Sequence, residues 1–259
     1  MKIFNVNDVI FSFYNFLFLG MRVLSFFIVA PLFSDSSIPK KVKLFFAFVI
    51  SWFFMFLIPE VSINLLSIDG FIVLIEQILI GISLGFIMQL MFSTVKVSGE
   101  LISFQMGLSF SSVLDWNTRS NISVLSRFLH VFFFLLFLEF NGHLWMISIL
   151  FDFFLKIPIN IIELDSTSFF KILIASKFIF IDGLMLVLPI IMIQLMLNIS
   201  MGILNRIASQ ISIFSVGFSL TLLVGMYIFY LFIPIFPSIY HNIFNRLVFS
   251  ISSFSREFL

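Results

Sequence analysis

Long apolar runs alternate with short polar joints along this chain. The first run extends from about Val9 to Phe33, and later ones fall near Leu44–Ile58, Phe71–Val95, Val124–Leu155, Phe169–Leu197 and Ile211–Ile235. A helix needs about 20 mostly apolar residues to cross the hydrocarbon core of a bilayer, so the pattern predicts six hydrophobic helices. The second run holds about fifteen residues, near the lower limit for crossing, and a further stretch, Leu101–Leu114, is too short to cross. Stretches of that length read as buried or re-entrant segments. Pro189 inside the fifth run predicts a kink, and Pro234 with Pro237 predicts a stop at the end of the sixth. Gly81 and Gly85 form a small-xxx-small pair, which lets two helix backbones approach closely. The first run exceeds a signal-peptide core and carries only Val29-Ala30-Pro31 where a small-x-small cleavage site would stand, so it is expected to be retained. No internal repeat is evident, which counts against the inverted-repeat transporter folds.

Composition removes a water-soluble alternative. The 259 residues are 61% hydrophobic and 10% charged, with a mean hydropathy of +1.21. These values place the chain with all-α integral membrane proteins, as a single membrane domain over residues 1–259. Lysine and arginine number 14 against 13 acidic residues, so there is no basic footprint and no nucleic-acid partner is expected. The absence of cysteine excludes disulfides, thiolate metal sites and cysteine nucleophiles. Phenylalanine fills 41 positions, but AT-biased codon usage produces such an excess, and no aromatic site is read into it.

Orientation follows from the basic flanks. Lys40, Lys41 and Lys43 place the joint after the first run in the cytoplasm by the positive-inside rule. The N-terminus then lies outside, and six complete spans would put the C-terminus there too. Arg246 and Arg256, against Glu257 alone, point the other way. One partial or re-entrant segment reconciles the two signals, which leaves the span count open.

Several charges sit where lipid would penalise them. Arg22 is near the middle of the first run, Glu76 and Gln77 lie in the third, Glu139 in the fourth, and Lys177 and Asp182 in the fifth. Each such charge facing hydrocarbon at mid-helix costs roughly 2.5–3.5 kcal/mol. One reading is an ion or proton pathway lined by carboxylates. The other is burial between helices or subunits in the service of assembly. The charges do not cluster within one helix pair, which favours the second, so Arg22, Glu76, Glu139 and Asp182 are expected as buried inter-helix or inter-subunit charges. His130 and His143 match no metal-ligand spacing, and no G-x-S-x-G, Walker A or H-E-x-x-H motif occurs. No catalytic constellation, metal or cofactor is therefore expected.

The stretch from Ser98 to Ser112 is rich in small residues. If helical, it stacks Ser103, Gly107 and Ser111 on one face and Ile102, Met106, Phe110 and Val113 on a neighbouring apolar stripe. A methionine beside a phenylalanine fills irregular gaps and suits a hydrophobic constriction, although such stripes more often serve packing.

Five segments carry a family resemblance. They are Ser37-Ile38-Pro39-Lys40-Lys41-Val42-Lys43-Leu44; Glu76-Gln77-Ile78-Leu79-Ile80-Gly81-Ile82-Ser83-Leu84-Gly85-Phe86; Gly99-Glu100 with Gln105-Met106-Gly107-Leu108-Ser109-Phe110; Phe140-Asn141-Gly142-His143-Leu144-Trp145; and, with Asn198 and Leu204-Asn205-Arg206 before it, Gln210-Ile211-Ser212-Ile213-Phe214-Ser215-Val216-Gly217-Phe218. In order and over most of the chain they resemble the FliR/SpaR family of the type III protein export apparatus. The resemblance implies a multi-pass subunit in the bacterial inner membrane, at the flagellar basal body, packed in a hetero-oligomeric export gate. It implies assembly with FliP and FliQ beside FlhB and FlhA, contact with membrane lipid, and passage of unfolded flagellar subunits through a shared conduit. It implies no enzymatic step of its own, since the proton motive force and a separate ATPase drive export. The family's plug corresponds to residues 104–122, which assigns a gate role to Met106, Gly107, Phe110 and Val113. The mid-helix charges would then meet other subunits. The chain departs from the family by Phe-rich replacements and by Trp116-Asn117-Thr118 in the plug region. The alternatives are the equivalent subunit of a virulence injectisome and, from another class, a secondary transporter using Glu76, Glu139 and Asp182.

Overall fold

The computed structural model describes residues 6–34, 38–59, 63–108, 122–159, 166–207 and 213–255. Among them are eight α-helices and no strand: α1 (Val6–Val29), α2 (Lys40–Met55), α3 (Ile68–Gln105), α4 (Val124–Glu139), α5 (Gly142–Lys156), α6 (Ser166–Ile207), α7 (Ile213–Phe232) and α8 (Phe236–Ser255), with one 3-10 turn at Ile233–Ile235. Four segments are long and apolar enough to cross a membrane, namely Ile10–Val29, Ile68–Gln105, Ile172–Ile207 and Gly217–Phe254. The bent pair α4 and α5 makes a fifth if it is counted as one broken span.

The six expected helices are thus redistributed, each for a local reason. The third run does not end at Val95: α3 continues unbroken for 38 residues to Gln105, taking in the first residues of the short stretch that begins at Leu101. At 1.5 Å per residue that is about 57 Å, nearly twice the ~30 Å hydrocarbon thickness. Lys96, Ser98, Gly99 and Glu100 look like a polar joint, yet they serve as docking points for neighbouring helices. The fourth run divides at Asn141, whose φ of 56° is left-handed and ends α4 against α5. Pro234 does not stop the chain. It sits in the single 3-10 turn, and Pro237 lies in the first turn of α8, where a missing N–H breaks no helical bond. The helix then resumes because Phe236, Tyr240, Ile243, Leu247, Ile251 and Phe254 recur at helical spacing and are all buried. Pro189 lies inside α6, which runs through it.

The chain divides into two compact units. The first comprises Met1–Leu90, Asn141–Ser176 and Leu247–Leu259; the second comprises Met91–Phe140 and Lys177–Arg246. In the first unit α1 and α3 run side by side in the same direction. A side chain at Gly81 would strike Ser25 Oγ and the Arg22 carbonyl, and one at Gly85 would come within 2.9 Å of the Phe26 carbonyl. Glycine at both places lets the two backbones touch. Helix α2 returns antiparallel along α1, setting Phe48 and Trp52 against Phe16, and of its own residues buries only Ala47, Ser51 and Phe54. Phe54 in turn meets Phe151 and Phe154 of α5 edge-on or tilted.

In the second unit α4 lies antiparallel on the last turns of α3. A Cβ at Gly99 would run into the Ser126 backbone, and Ser126 Oγ donates to the Lys96 carbonyl at 2.9 Å. The Glu100 carboxylate accepts from Ser123 N–H at 2.9 Å, which sets a negative charge at the amino end of α4. Helix α6 packs on the same stretch, where Ser98 Oγ bonds to the Gly183 carbonyl at 3.1 Å. Phenylalanines fill what remains: Phe236, fully buried, meets Phe132, Phe133 and Phe229.

Replacing Gly81 with alanine should destabilise the protein by about 1–3 kcal/mol, because the methyl group presses on the α1 backbone. Gly202→Ala, whose Cβ meets nothing within 4 Å, should be neutral or slightly stabilising. Thermal unfolding of the two variants in detergent distinguishes them, and equal melting temperatures would contradict the close approach of α1 and α3.

Candidate functional site

The most heavily constrained charge is Arg22. Its side chain has 0% exposure, although it belongs to a helix long and apolar enough to cross a membrane. The Nε donates to Gln77 Oε1 of α3 at 2.7 Å, and one terminal nitrogen donates to the Ile157 and Phe153 carbonyls at 3.0 and 3.3 Å. The guanidinium carbon sits 4.3 Å from the centre of the Phe154 ring. Phe153 and Ile157 lie at the carboxyl end of α5, where the helix dipole is negative; the Phe153 carbonyl also accepts from the Ile157 N–H at 2.9 Å, so its bond from Arg22 is a second one. The cation is therefore compensated by neutral groups: a side-chain amide, two carbonyls at the end of α5 and a π face. One residue of α1 ties α3 and α5 to it. Ser25 Oγ, donating to the Arg22 carbonyl at 2.9 Å, stands at the point where Gly81 makes room.

The other mid-helix charges separate. Glu76 is buried, at 5% exposure. Asp182 is nearly buried and pairs with Arg246 of α8 at 2.5 Å, and Arg246 also lies over the Phe178 ring. Glu139 is exposed at the last position of α4, just before the chain turns at Asn141. Lys177 is likewise exposed. Among the described residues no three His, Asp or Glu side chains gather as metal ligands would.

The end of α3 is closed by a glycine turn. Gly107 adopts φ 78°, the Leu108 N–H bonds to the Ser103 carbonyl and the Gly107 N–H to the Phe104 carbonyl, both at 3.0 Å. This is a Schellman stop, with glycine at the left-handed position and an apolar residue after it. The helix of the described residues ends here, with Ile102, Ser103 and Met106 buried at its close. Phe110, Val113, Ser111 and Trp116-Asn117-Thr118 lie outside the described residues. Met106 itself has 0% exposure, while Phe104, two positions earlier, is 70% exposed. A Cβ at Gly225 of α7 would come within 2.7 Å of both Met106 Cγ and Cε, and would collide with Gln194 Nε2 of α6. Gln194, also at 0% exposure, donates to the Thr221 carbonyl at 3.0 Å. Gln194, Thr221 and Gly225 were not singled out by the sequence. The one sign it held was a glycine within the apolar run Leu222-Leu223-Val224-Gly225-Met226.

An all-α chain with several membrane-length helices, buried charges satisfied by other helices, and wide apolar faces still uncovered is a multi-pass membrane protein. The chain belongs to the family described as bacterial export proteins, family 1, whose sequence profile matches residues 13–247. It is 57% identical over 244 residues to the flagellar biosynthetic protein FliR of Buchnera aphidicola subsp. Baizongia pistaciae, covering 94% of this chain and 95% of that one. It is 41% identical over 227 residues to the protein of the same name from Escherichia coli K12, covering 88% and 87%. The namesake from Bacillus subtilis 168 is 25% identical over 245 residues, covering 93% and 94%.

Arg22→Leu should cost about 3–5 kcal/mol, since it strips donors from buried acceptors on two helices. Arg22→Lys should fall between the two, retaining the charge without the fork. Membrane insertion should be unchanged while the fraction recovered folded in mild detergent drops. A leucine variant as stable as the parent would remove Arg22 from the role described.

Proposed function

We propose that this chain is a membrane subunit of the flagellar type III protein export gate, where it helps to form and seal the conduit for unfolded flagellar subunits. The observation that carries the reading is its 57% identity to a FliR protein over nearly the whole of both chains. The exposed apolar faces fit it. On α2, Phe45, Trp52 and Phe53 are each more than half exposed, as are Leu223, Tyr227 and Tyr230 on α7. Surfaces this apolar need lipid or other subunits against them. FliP, FliQ, FlhB and FlhA are the partners proposed, in the bacterial inner membrane at the flagellar basal body. The chain acts there as one domain over residues 1–259, as a wall element without a catalytic step of its own.

Met106, Gly107, Phe110 and Val113 are assigned to the seal. Arg22, Glu76, Glu139 and Asp182 are assigned to assembly, with exposed Glu139 the one that would meet another subunit. The injectisome alternative is not favoured, since the relatives carry the flagellar name. Nor is a carboxylate-lined transporter: Asp182 is neutralised by Arg246 and Glu139 lies exposed at a helix end.

Cells lacking the chain should build no hooks or rods, and the chain should copurify with several small membrane proteins. Normal hooks without it would overturn the assignment. Joint replacement of Met106 and Phe110 by alanine should make the resting complex conduct small ions, measured as membrane depolarisation. Unchanged permeability, with the complex recovered in full, would remove the sealing role from these residues.

A further inference from the structure

We infer that Gly225 and Gln194 form a notch that seats Met106 and holds it stationary through the export cycle, so that Met106 acts as a fixed anchor. The inference rests on the export-gate reading and adds two positioning residues to it. Three observations converge on the same place. The Met106 side chain is wholly buried although the residue stands at the very end of α3. Glycine at 225 leaves the room, because a Cβ there would displace the Met106 side chain and the Gln194 amide from the positions they hold. The amide is itself fixed, since Gln194 Nε2 reaches through that glycine-lined gap to the Thr221 carbonyl, one turn earlier in α7. The Thr221 hydroxyl turns away from the gap and bonds to the Phe218 carbonyl at 2.9 Å.

The backbone on either side of Met106 is equally tied. Its own N–H bonds to the Ile102 carbonyl at 3.0 Å, and the following Gly107 and Leu108 close the Schellman turn onto Ser103 and Phe104. Ile102, Ser103 and Met106, at i, i+1 and i+4, are buried together while Phe104 faces outward. The last turn of α3 thus has one inward face, and that face ends in the notch. Gly225 and Gln194 act through Met106 and are positioning residues.

The chain has no cysteine of its own, so introduced thiols report on the notch without background. In M106C/G225C the new sulfur at 106 takes the place of Met106 Cγ, within disulfide reach of residue 225. The double variant, as the full chain in the assembled complex of flagellated cells lacking their own relative, is oxidised with a membrane-permeant copper–phenanthroline reagent. The expected result is efficient cross-linking, with secretion of hook subunits within about twofold of the same cells after reduction. A tenfold or greater loss of secretion that reduction restores would show that Met106 must leave its seat, and would overturn the inference. So would failure to cross-link. A second variant, M106C alone, guards against loss of the double variant: during active export a permeant maleimide should label it at under about a tenth of the rate seen after unfolding. Labelling at the unfolded rate would likewise overturn it. If cells lacking the chain secrete hook subunits normally, the export reading fails instead, and the cross-link alone then decides whether Met106 occupies the notch.

Discussion

A fully buried guanidinium is the constraint from which the first unit follows. Arg22 stands in an apolar interior because acceptors reach its Nε and one terminal nitrogen, and those acceptors come from two other helices. To bring Gln77 within 2.7 Å of Arg22, α3 must lie against α1 along its length. That approach is possible only because Gly81 and Gly85 carry no side chain toward α1. To bring the end of α5 within reach, that helix must finish at the level of Arg22, with its outward carbonyls turned toward the cation. Charge, glycine spacing and the end of α5 are thus one arrangement.

The second unit applies the same physics with weaker groups. Ser98, Gly99 and Glu100 interrupt an apolar helix, and each is matched by a group on a neighbour: the Gly183 carbonyl, the Ser126 backbone and the Ser123 N–H. Helix–helix association in lipid gains little from apolar burial, because the tails are as apolar as leucine. Short polar contacts and close backbone approach therefore decide which faces meet. The phenylalanines fill the space around these contacts through edge-on ring packing, as at Phe236.

The all-helical membrane class was legible from run length alone, as was the close approach offered by Gly81 and Gly85. The charged positions were legible as misplaced, but their partners were not. Nothing in one dimension links Arg22 to the Phe153 and Ile157 carbonyls, because a backbone acceptor has no signature in the sequence. Hydropathy split α3 at Lys96–Glu100 because it weighs polar residues as joints and cannot see that another helix satisfies them. The stop at Pro234 failed for a similar reason: α8 is amphipathic, with His241, Asn242, Asn245 and Arg246 diluting its apolar stripe. Gly107 followed by Leu108 did carry the mark of a helix end, which a reading by periodicity alone passes over. The Gly225 notch was hidden, since a glycine in an apolar helix declares that something comes close without saying what.

The separation along the chain between Arg22 and its acceptors gives biosynthesis a clock. Gln77 lies 55 residues downstream, and the Phe153 and Ile157 carbonyls lie 131 and 135 downstream. At ~5–20 residues per second, the ribosome needs on the order of ten seconds after making α1 before α5 can cap the arginine. Throughout that interval the nascent first helix holds a cation with no protein counterpart. It must wait at the translocon or in a hydrated, lipid-distorting pose until the later helix arrives, so the order of synthesis makes α5 the step that releases α1 into its final environment.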